Sequence, residues 1–134
     1  MACLVVAAWA AEPDTSLDLA KLRQEISALR RNFQRAPTTA DMAEAARILH
    51  EVVAKRLAAA VAWRRSNQPP AWRERFETAQ TAWQAWFTAE VDWRLADAQG
   101  SIAPVNRLAV ETELMEHRLF SLLRPAPEGE DAGP

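Results

Sequence analysis

The sequence has few of the residues that interrupt helices and few that carry chemistry. Among 134 residues there are three glycines and one cysteine, and the eight prolines gather in a few short stretches. Because glycine and proline are the main breakers of helices, this distribution favours long uninterrupted helices. A single cysteine, Cys3, excludes an internal disulfide and a multi-cysteine metal site. A hydrophobic core must therefore hold the fold together.

A strong net charge is also lacking. The formal charge is −2 at pH 7 and the sequence pI is about 5.7. These values give no global reason to expect nucleic acid, and they favour a cationic protein partner only weakly. No segment approaches the ~20 apolar residues that a transmembrane helix needs. A chain of this length is typical of one globular domain that buries a core without a metal or disulfide.

The N-terminus, MACLVVAAWAAEP, is an apolar run whose first charged side chain is Glu12. Ala8-Trp9-Ala10 fits the small-x-small pattern of a signal peptidase site, which predicts a signal peptide over residues 1–10 and a periplasmic or otherwise exported protein. The run is short and lacks the basic residue expected at its start, so the alternative is an apolar N-terminus of a cytosolic protein. Cleavage after Ala10 would leave a mature chain without cysteine.

The first predicted helix is an amphipathic segment within residues 16–36. Its apolar residues recur in alternating steps of four and three, a spacing typical of a coiled-coil seam. The seam consists of Leu22, Ile26, Leu29 and Phe33, and the expected N-cap is Asp14, Thr15 or Ser16. Such a helix either packs along the rest of the chain or extends away to meet a partner.

Three further helices are predicted within residues 38–124, which we expect to be the compact unit. The second helix is expected to have Thr38 or Thr39 as its N-cap and to end near Arg65. The third helix should begin at Pro70 and end at Gly100. The fourth should begin at Pro104 and end before Pro125. Short connections between helices predict an all-α fold, an antiparallel bundle of three to four helices. Residues 125–134, PAPEGEDAGP, are predicted to be a disordered acidic tail.

The third helix is rich in tryptophan, most visibly in AQTAWQAWFTAEVDW, residues 79–93. Its predicted inner row is Trp72, Phe76, Ala79, Trp83, Trp86, Glu90 and Trp93. Steps of four and three place this row on one side of a helix, where aromatic residues usually pack into a core. The alternative is a stacking surface for a ligand or nucleic acid. It is disfavoured because the nearby arginines lie largely off this face and the chain is not basic.

Glu90 lies near the centre of that predicted apolar face. A carboxylate there needs a cationic partner, since burial of an unpaired charge is costly. Arg94, one turn along the helix, is the local candidate, and Arg118 or His117 on the fourth helix are the tertiary ones. A polar notch that a partner protein addresses is the functional alternative to a structural ion pair.

No motif for catalysis or cofactor binding stands out. The metal-binding pattern on a helix needs a second His four residues after His50, and that position is Ala54. None of the serines is spaced from His50 or His117 in a way that singles out a nucleophile and its base. The sequence therefore predicts a protein that is not an enzyme and has no cofactor or metal.

Residues 38–123 resemble the LprI-like lysozyme inhibitor family. The family's central motif has Ala-Gln, two further residues and then Trp, followed by an aromatic residue and an Ala-Glu pair. The matching residues are Ala79, Gln80, Trp83, Trp86, Ala89 and Glu90, and in the last part Gly100, Ser101, Leu114 and Arg118. The resemblance implies an exported α-helical protein-binding domain, and by the family's name an inhibitor of lysozyme. Since both Glu90 and Arg118 match, it also favours an ion pair between them.

The chain departs from the family where the family carries cysteines. Val91, Val110 and Ala45 stand at those positions, so the resemblance implies that Val91 and Val110 face each other between helices three and four in place of a disulfide. Ala54 and Ala58 replace a polar pair of the family's second helix.

Two functions from different classes follow from these observations. The first is binding of a lysozyme-type muramidase through the loop before Pro104. Its candidate residues are Arg94, Gln99, Gly100, Ser101 and Arg107, although the same loop also reads as a plain helix-helix turn. The second is a non-inhibitory structural or assembly module of the cell envelope, which forms homo-oligomers or binds a partner through the seam of the first helix.

Overall fold

The computed structural model describes residues 17–124, and these form four α-helices. The predicted signal peptide (1–10), the three candidate caps at positions 14–16 and the predicted tail (125–134) lie outside the described residues. The helices are α1 (Leu19–Gln34), α2 (Thr39–Ser66), α3 (Pro70–Arg94) and α4 (Ala103–Leu123). The predicted all-α bundle is thereby confirmed.

Helix boundaries follow local signals in the sequence. Thr38 caps α2, as its side-chain oxygen accepts a hydrogen bond from the backbone N–H of Asp41 at 3.1 Å. Pro70 is the first residue of α3, where the missing N–H costs nothing. The cap of α1 is Asp18, which accepts from the backbone N–H of Lys21 at 3.0 Å. The predicted cap at positions 14–16 was therefore wrong, because α1 begins at Leu19.

Side-chain contacts define the directions of the helices. On α2 and α4, His50 contacts Glu111 and Arg64 contacts the backbone carbonyl of Leu122, so these two helices run parallel. On α1 and α4, Arg30 contacts Glu116 while Arg23 lies over the ring of Phe120, which makes α1 antiparallel to α4. Helix α3 is antiparallel to α4 and packs mainly against it. Helices that are consecutive in the chain are thus antiparallel.

The core lies between α2 and α4, with α1 completing it. Five residues of α2 and six of α4 are buried. The central cluster contains Ile26 of α1, Val53 and Leu57 of α2, and Met115 and Leu119 of α4. Each such side chain contributes ~1.5–3 kcal/mol by leaving water, so the α2–α4 interface carries most of the apolar stabilisation.

The seam of α1 packs within the chain. Leu22 and Ile26 are 2% and 1% exposed, and Leu29 and Phe33 are half-buried. Glu25 of α1 also pairs with Arg56 of α2 at 3.3 Å. The seam therefore belongs to the bundle core, and it is not an exposed surface for self-association.

Helix α3 is held by a narrow strip of its surface. Gln80 and Val91 are its buried residues, and Phe76, Trp83 and Phe87 are half-buried against the core. The predicted inner row was wrong for Ala79 and for three tryptophans, all of which are exposed. Trp72, Trp86 and Trp93 are 49%, 48% and 72% exposed. The helix is rotated by about 60° from the predicted orientation, at 100° per residue.

Candidate functional site

The connection between α3 and α4 reverses the chain over residues 95–102. Helix α3 ends at Arg94, so the prediction that Gly100 ends the helix was wrong. Gly100 instead has a φ of 82°, a left-handed conformation that side chains disfavour, and it accepts a hydrogen bond from the N–H of Ala103 at 3.2 Å. Gln99, Gly100 and Ser101 are exposed. The loop is thus a defined turn whose tip is accessible to a partner.

Two arginines flank this loop, and they are held differently. Arg94 Nε donates to Glu90 Oε1 at 3.0 Å, and Arg94 Nη1 donates to Glu113 Oε2 at 3.5 Å. The hydrogen bond to Glu90 raises the pKa of Arg94. Arg107 is more loosely paired, since its Nη atoms lie 3.9 Å from Asp92 and 3.6 Å from Glu111. The side chain of Arg107 is 52% exposed, so it is the freer of the two cations.

A shallow depression of about 310 Å³ lies beside the loop. Leu95, Ala98, Ala103 and Pro104 form its apolar surface, and Arg107 stands at its edge. Ile102, 38% exposed, is part of the same loop. An apolar patch with a guanidinium at its rim can receive a side chain of a partner and pair with a carboxylate beside it.

Glu90 and Arg118 do not pair with each other, and each has a different partner. Glu90 pairs with Arg94, the local candidate, because four residues along a helix bring the two side chains together. Arg118 Nη2 donates to Gln80 Oε1 at 2.9 Å and Arg118 Nε to the same oxygen at 3.3 Å. The expected Glu90–Arg118 pair is replaced by these contacts, since the rotation of α3 presents Gln80 to Arg118.

Arg118 is part of a small polar contact between α3 and α4. Besides its bonds to Gln80, its guanidinium carbon lies 5.9 Å from the ring centroid of Trp83. Trp83 in turn packs against Phe87 with ring centroids 5.2 Å apart. Partial burial lowers the pKa of Arg118. This arrangement joins the two helices through a charged hydrogen bond and an aromatic contact.

The positions where the family carries cysteines differ in burial. Val91 is 2% exposed and Val110 is half-buried, on two helices that pack together. Their direct contact remains a prediction. Ala45 is half-buried, Ala54 packs against the core cluster, and Ala58 is exposed.

The exposed tryptophans form a regular row that sequence reasoning missed. Trp72, Ala79, Trp86 and Trp93 are separated by seven residues each, and we call them the tryptophan row. All four are exposed. The seven-residue spacing was visible in the sequence. It could have separated this row from the adjacent inner one, since Trp72, Trp86 and Trp93 share one heptad position whereas Phe76 and Trp83 share another.

A second depression, of about 350 Å³, lies between α1, α2 and α4. Phe33, Ala46 and Leu49 supply its apolar surface, while the ion pair of Arg30 and Glu116 lies along one side. The two charged groups of this pair satisfy each other, and Glu113 and His117 also line the depression.

The described residues contain neither a metal-binding cluster nor a helix suited to cross a membrane. Within residues 17–124, no group of three His, Cys, Asp or Glu side chains is arranged to hold a metal ion. None of the four helices combines the length and the apolar character that crossing a bilayer requires.

Comparison with protein families identifies a match that covers most of the chain. The model of the family described as "Lysozyme inhibitor LprI" matches residues 30–122, which include the last five residues of α1 and all of α2 and α3. The match also contains the whole α3–α4 loop and nearly all of α4. A search of curated proteins and a search of solved structures each return no match.

Proposed function

Because the chain belongs to the LprI lysozyme inhibitor family, we propose that it binds and inhibits a lysozyme-type muramidase. The observation that carries the proposal is the family match over residues 30–122, which contains α2, α3 and nearly all of α4, together with the end of α1. An inhibitor family implies a binding protein and no chemistry of its own. Export to the periplasm or beyond is part of the same proposal, since the predicted signal peptide would deliver the chain to where muramidases act.

We place the contact at the α3–α4 loop, with Arg107 as its main cation. Glycosidases of this type work with two carboxyl groups in a cleft, and a guanidinium is a strong partner for a carboxylate. Arg107 suits this role because its present ion pairs are long, at 3.6 and 3.9 Å, and half of its side chain is exposed. Giving up such weak surface pairs costs little, so Arg107 can turn towards a carboxylate of a partner.

The remaining loop residues have supporting roles. Gly100 allows the sharp reversal that exposes Gln99 and Ser101, whose polar side chains can hydrogen-bond to the rim of a cleft. Arg94 is tied to Glu90 and Glu113, so it steadies the base of the loop more than it reaches outward.

The assembly module proposed as the alternative gains no support from the fold. It relied on the seam of α1, and Leu22 and Ile26 of that seam are buried in the core of the same chain. Deleting α1 would therefore expose the core of the bundle.

Inhibition of lysozyme turnover tests the proposal directly. The purified chain should inhibit at least one lysozyme saturably, and Arg107→Ala should weaken inhibition by about tenfold, the effect of losing a charged contact. Arg94→Ala should weaken it less. The matched control is Arg47→Ala, which removes the same charge from the exposed surface of α2.

Two outcomes would count against the proposal in different ways. If no lysozyme of a varied panel is bound, the inhibitory function itself is wrong. If the wild type inhibits a lysozyme and both Arg107→Ala and Arg47→Ala inhibit it equally well, the contact lies elsewhere on the molecule.

A further inference from the structure

We propose that the depression between α1, α2 and α4 binds a small amphipathic cation, a molecule with an apolar ring or chain and one ammonium group. We call this depression the α1–α2–α4 pocket, and its volume is about 350 Å³. Sites for small ligands are concave, mostly apolar and fitted with a few polar groups. The pocket has this composition. Arg107 and the α3–α4 loop do not line it, so the proposal does not depend on lysozyme binding.

The floor of the pocket is mainly apolar. Ala46 and Leu49 of α2 are 4% and 6% exposed, and Thr112 of α4 is 3% exposed. The hydroxyl of Thr112 donates a hydrogen bond to the carbonyl of Leu108 at 2.6 Å, so its donor is already used within the helix. Phe33 adds an aromatic ring, against which a second ring packs favourably. Since a closed cavity of about 150 Å³ holds benzene, the pocket has room for a ring with a short chain.

The ion pair along one side of the pocket disfavours an anionic ligand. Arg30 Nη1 donates to Glu116 Oε1 at 3.3 Å, and Arg30 Nη2 donates to the other carboxylate oxygen. A ligand carboxylate could reach this guanidinium only by displacing Glu116, whose side chain is 14% exposed. Displacement would leave a largely buried charge without its partner, which is costly. The pair therefore acts as a neutral wall of the pocket.

Glu113, at the rim of the pocket, is only weakly engaged by the rest of the chain. Its side chain is 51% exposed, and its contact with Arg94 Nη1 is long, at 3.5 Å. Arg94 is held more closely by Glu90, at 3.0 Å from its Nε, so it keeps a partner when Glu113 turns away. An ammonium group in the pocket can pair with Glu113 and donate a hydrogen bond to a ring nitrogen of His117. One available carboxylate beside a neutral wall favours a ligand with a single positive charge.

Titration of the full chain with three probes of similar size, followed through amide chemical shifts in NMR spectra, tests this charge preference. Phenethylammonium should bind with a Kd of about 1 mM, as expected for a ligand of about ten heavy atoms. Phenethyl alcohol keeps the ring without the charge, and it should bind about three- to fivefold more weakly. Hydrocinnamate, an anion, should bind more weakly still, because Glu113 repels it. A pH of about 8 keeps the ammonium probe charged.

Two substitutions separate the contributions of charge and shape. Glu113→Gln should lower the affinity for phenethylammonium to that for phenethyl alcohol and leave the affinity for the alcohol within about twofold. Its control is Glu51→Gln, which removes the same charge from the exposed surface of α2. Ala109→Phe places a ring at an exposed edge of the pocket and should abolish the binding of both phenethyl probes. Its control is Ala58→Phe, at an exposed residue of α2 outside the pocket. Circular dichroism verifies that all four variants keep their helices.

Four results would overturn the proposal. Unchanged amide shifts with every probe up to about 20 mM would show that the pocket binds no such ligand. Equal affinities for the three probes would show an apolar cleft without a preference for cations. Tightest binding of hydrocinnamate would assign the pocket to anions, and phenethylammonium that still binds Ala109→Phe occupies another site. Because each readout is the binding of a small ligand, none of them changes if the chain inhibits no lysozyme.

Discussion

Gln80 is the residue through which α3 is fixed most specifically to α4. It is 6% exposed and accepts two hydrogen bonds from Arg118, whose guanidinium also lies near the ring of Trp83. Hydrogen bonds to a charged donor contribute more than neutral ones, ~1.5–3 kcal/mol each by mutational measurement. A polar side chain on a largely apolar strip therefore defines which side of α3 faces inward.

Replacing Gln80 should reveal this contribution. Gln80→Ala removes the acceptor and leaves a partly buried guanidinium without it, so we expect the free energy of unfolding to fall by about 1–2 kcal/mol. Gln80→Glu keeps an acceptor and adds a charge, and it should be at least as stable as the wild type at pH 7. Urea unfolding measures both, with Gln84→Ala on the exposed side of α3 as control. Equal stability of Gln80→Ala and Gln84→Ala would contradict the assigned role.

Sequence reasoning at the residue scale succeeded where partners are local. Arg94 could be named as a candidate partner of Glu90 because helical geometry alone brings residues four apart together. The partner of Arg118 could not be derived in this way. It depends on how α3 is rotated about its axis, and that rotation results from packing against α4, which no local pattern contains.

Whole helices were easier to predict than their orientations. Pro37, Pro70 and Pro104 lie at or beside helix ends, and proline acts on the backbone whatever the tertiary context. The buried side of α3 was misjudged because two apolar rows lie side by side on this helix. The bundle covers only the row containing Phe76 and Trp83, while Trp86 and Trp93 of the other remain exposed. Periodicity detects an apolar sector but does not tell which part of it is covered.

The predicted contact between Val91 and Val110 concerns how the whole helices α3 and α4 pack against each other. In a Cys3→Ser background, the double variant Val91→Cys/Val110→Cys should oxidise to an intramolecular disulfide. It should then unfold at higher temperature than its reduced form, by an amount corresponding to ~3 kcal/mol for a short loop. Thiol titration and thermal unfolding measure the two effects. Thiols that stay free after oxidation in the folded monomer would show that the two positions do not face each other.

The molecule as a whole should lose stability in acid through its surface ion pairs. Hydrogen bonds from Arg47 and Arg65 lower the pKa values of Glu44 and Glu77 below the usual 4.5. The unfolded chain therefore binds protons at these carboxylates at higher pH than the folded chain does. Their contribution is complete above pH 4.5 and disappears as pH falls through the lowered values.

Thermal unfolding between pH 7 and pH 3 measures this dependence. The midpoint should be nearly constant down to about pH 5 and should fall below it, given the usual carboxylate range. The double variant Glu44→Gln/Glu77→Gln should show a shallower fall, because the titrating groups are gone. Parallel curves for the variant and the wild type would assign the acid sensitivity to other carboxylates.

The order of the helices along the chain has a consequence for how the protein folds. The two helices that share the core, α2 and α4, are separated by the segment 67–102, which contains all of α3. Core formation must therefore bring α2 and α4 together across this segment, and closing a loop of this length costs chain entropy. Helix α3 compensates little of that cost, because few of its side chains are buried. Changes on the exposed side of α3 should leave the refolding rate almost untouched. A shorter or stiffer 67–102 segment should accelerate refolding, which would make α3 a spacer for folding.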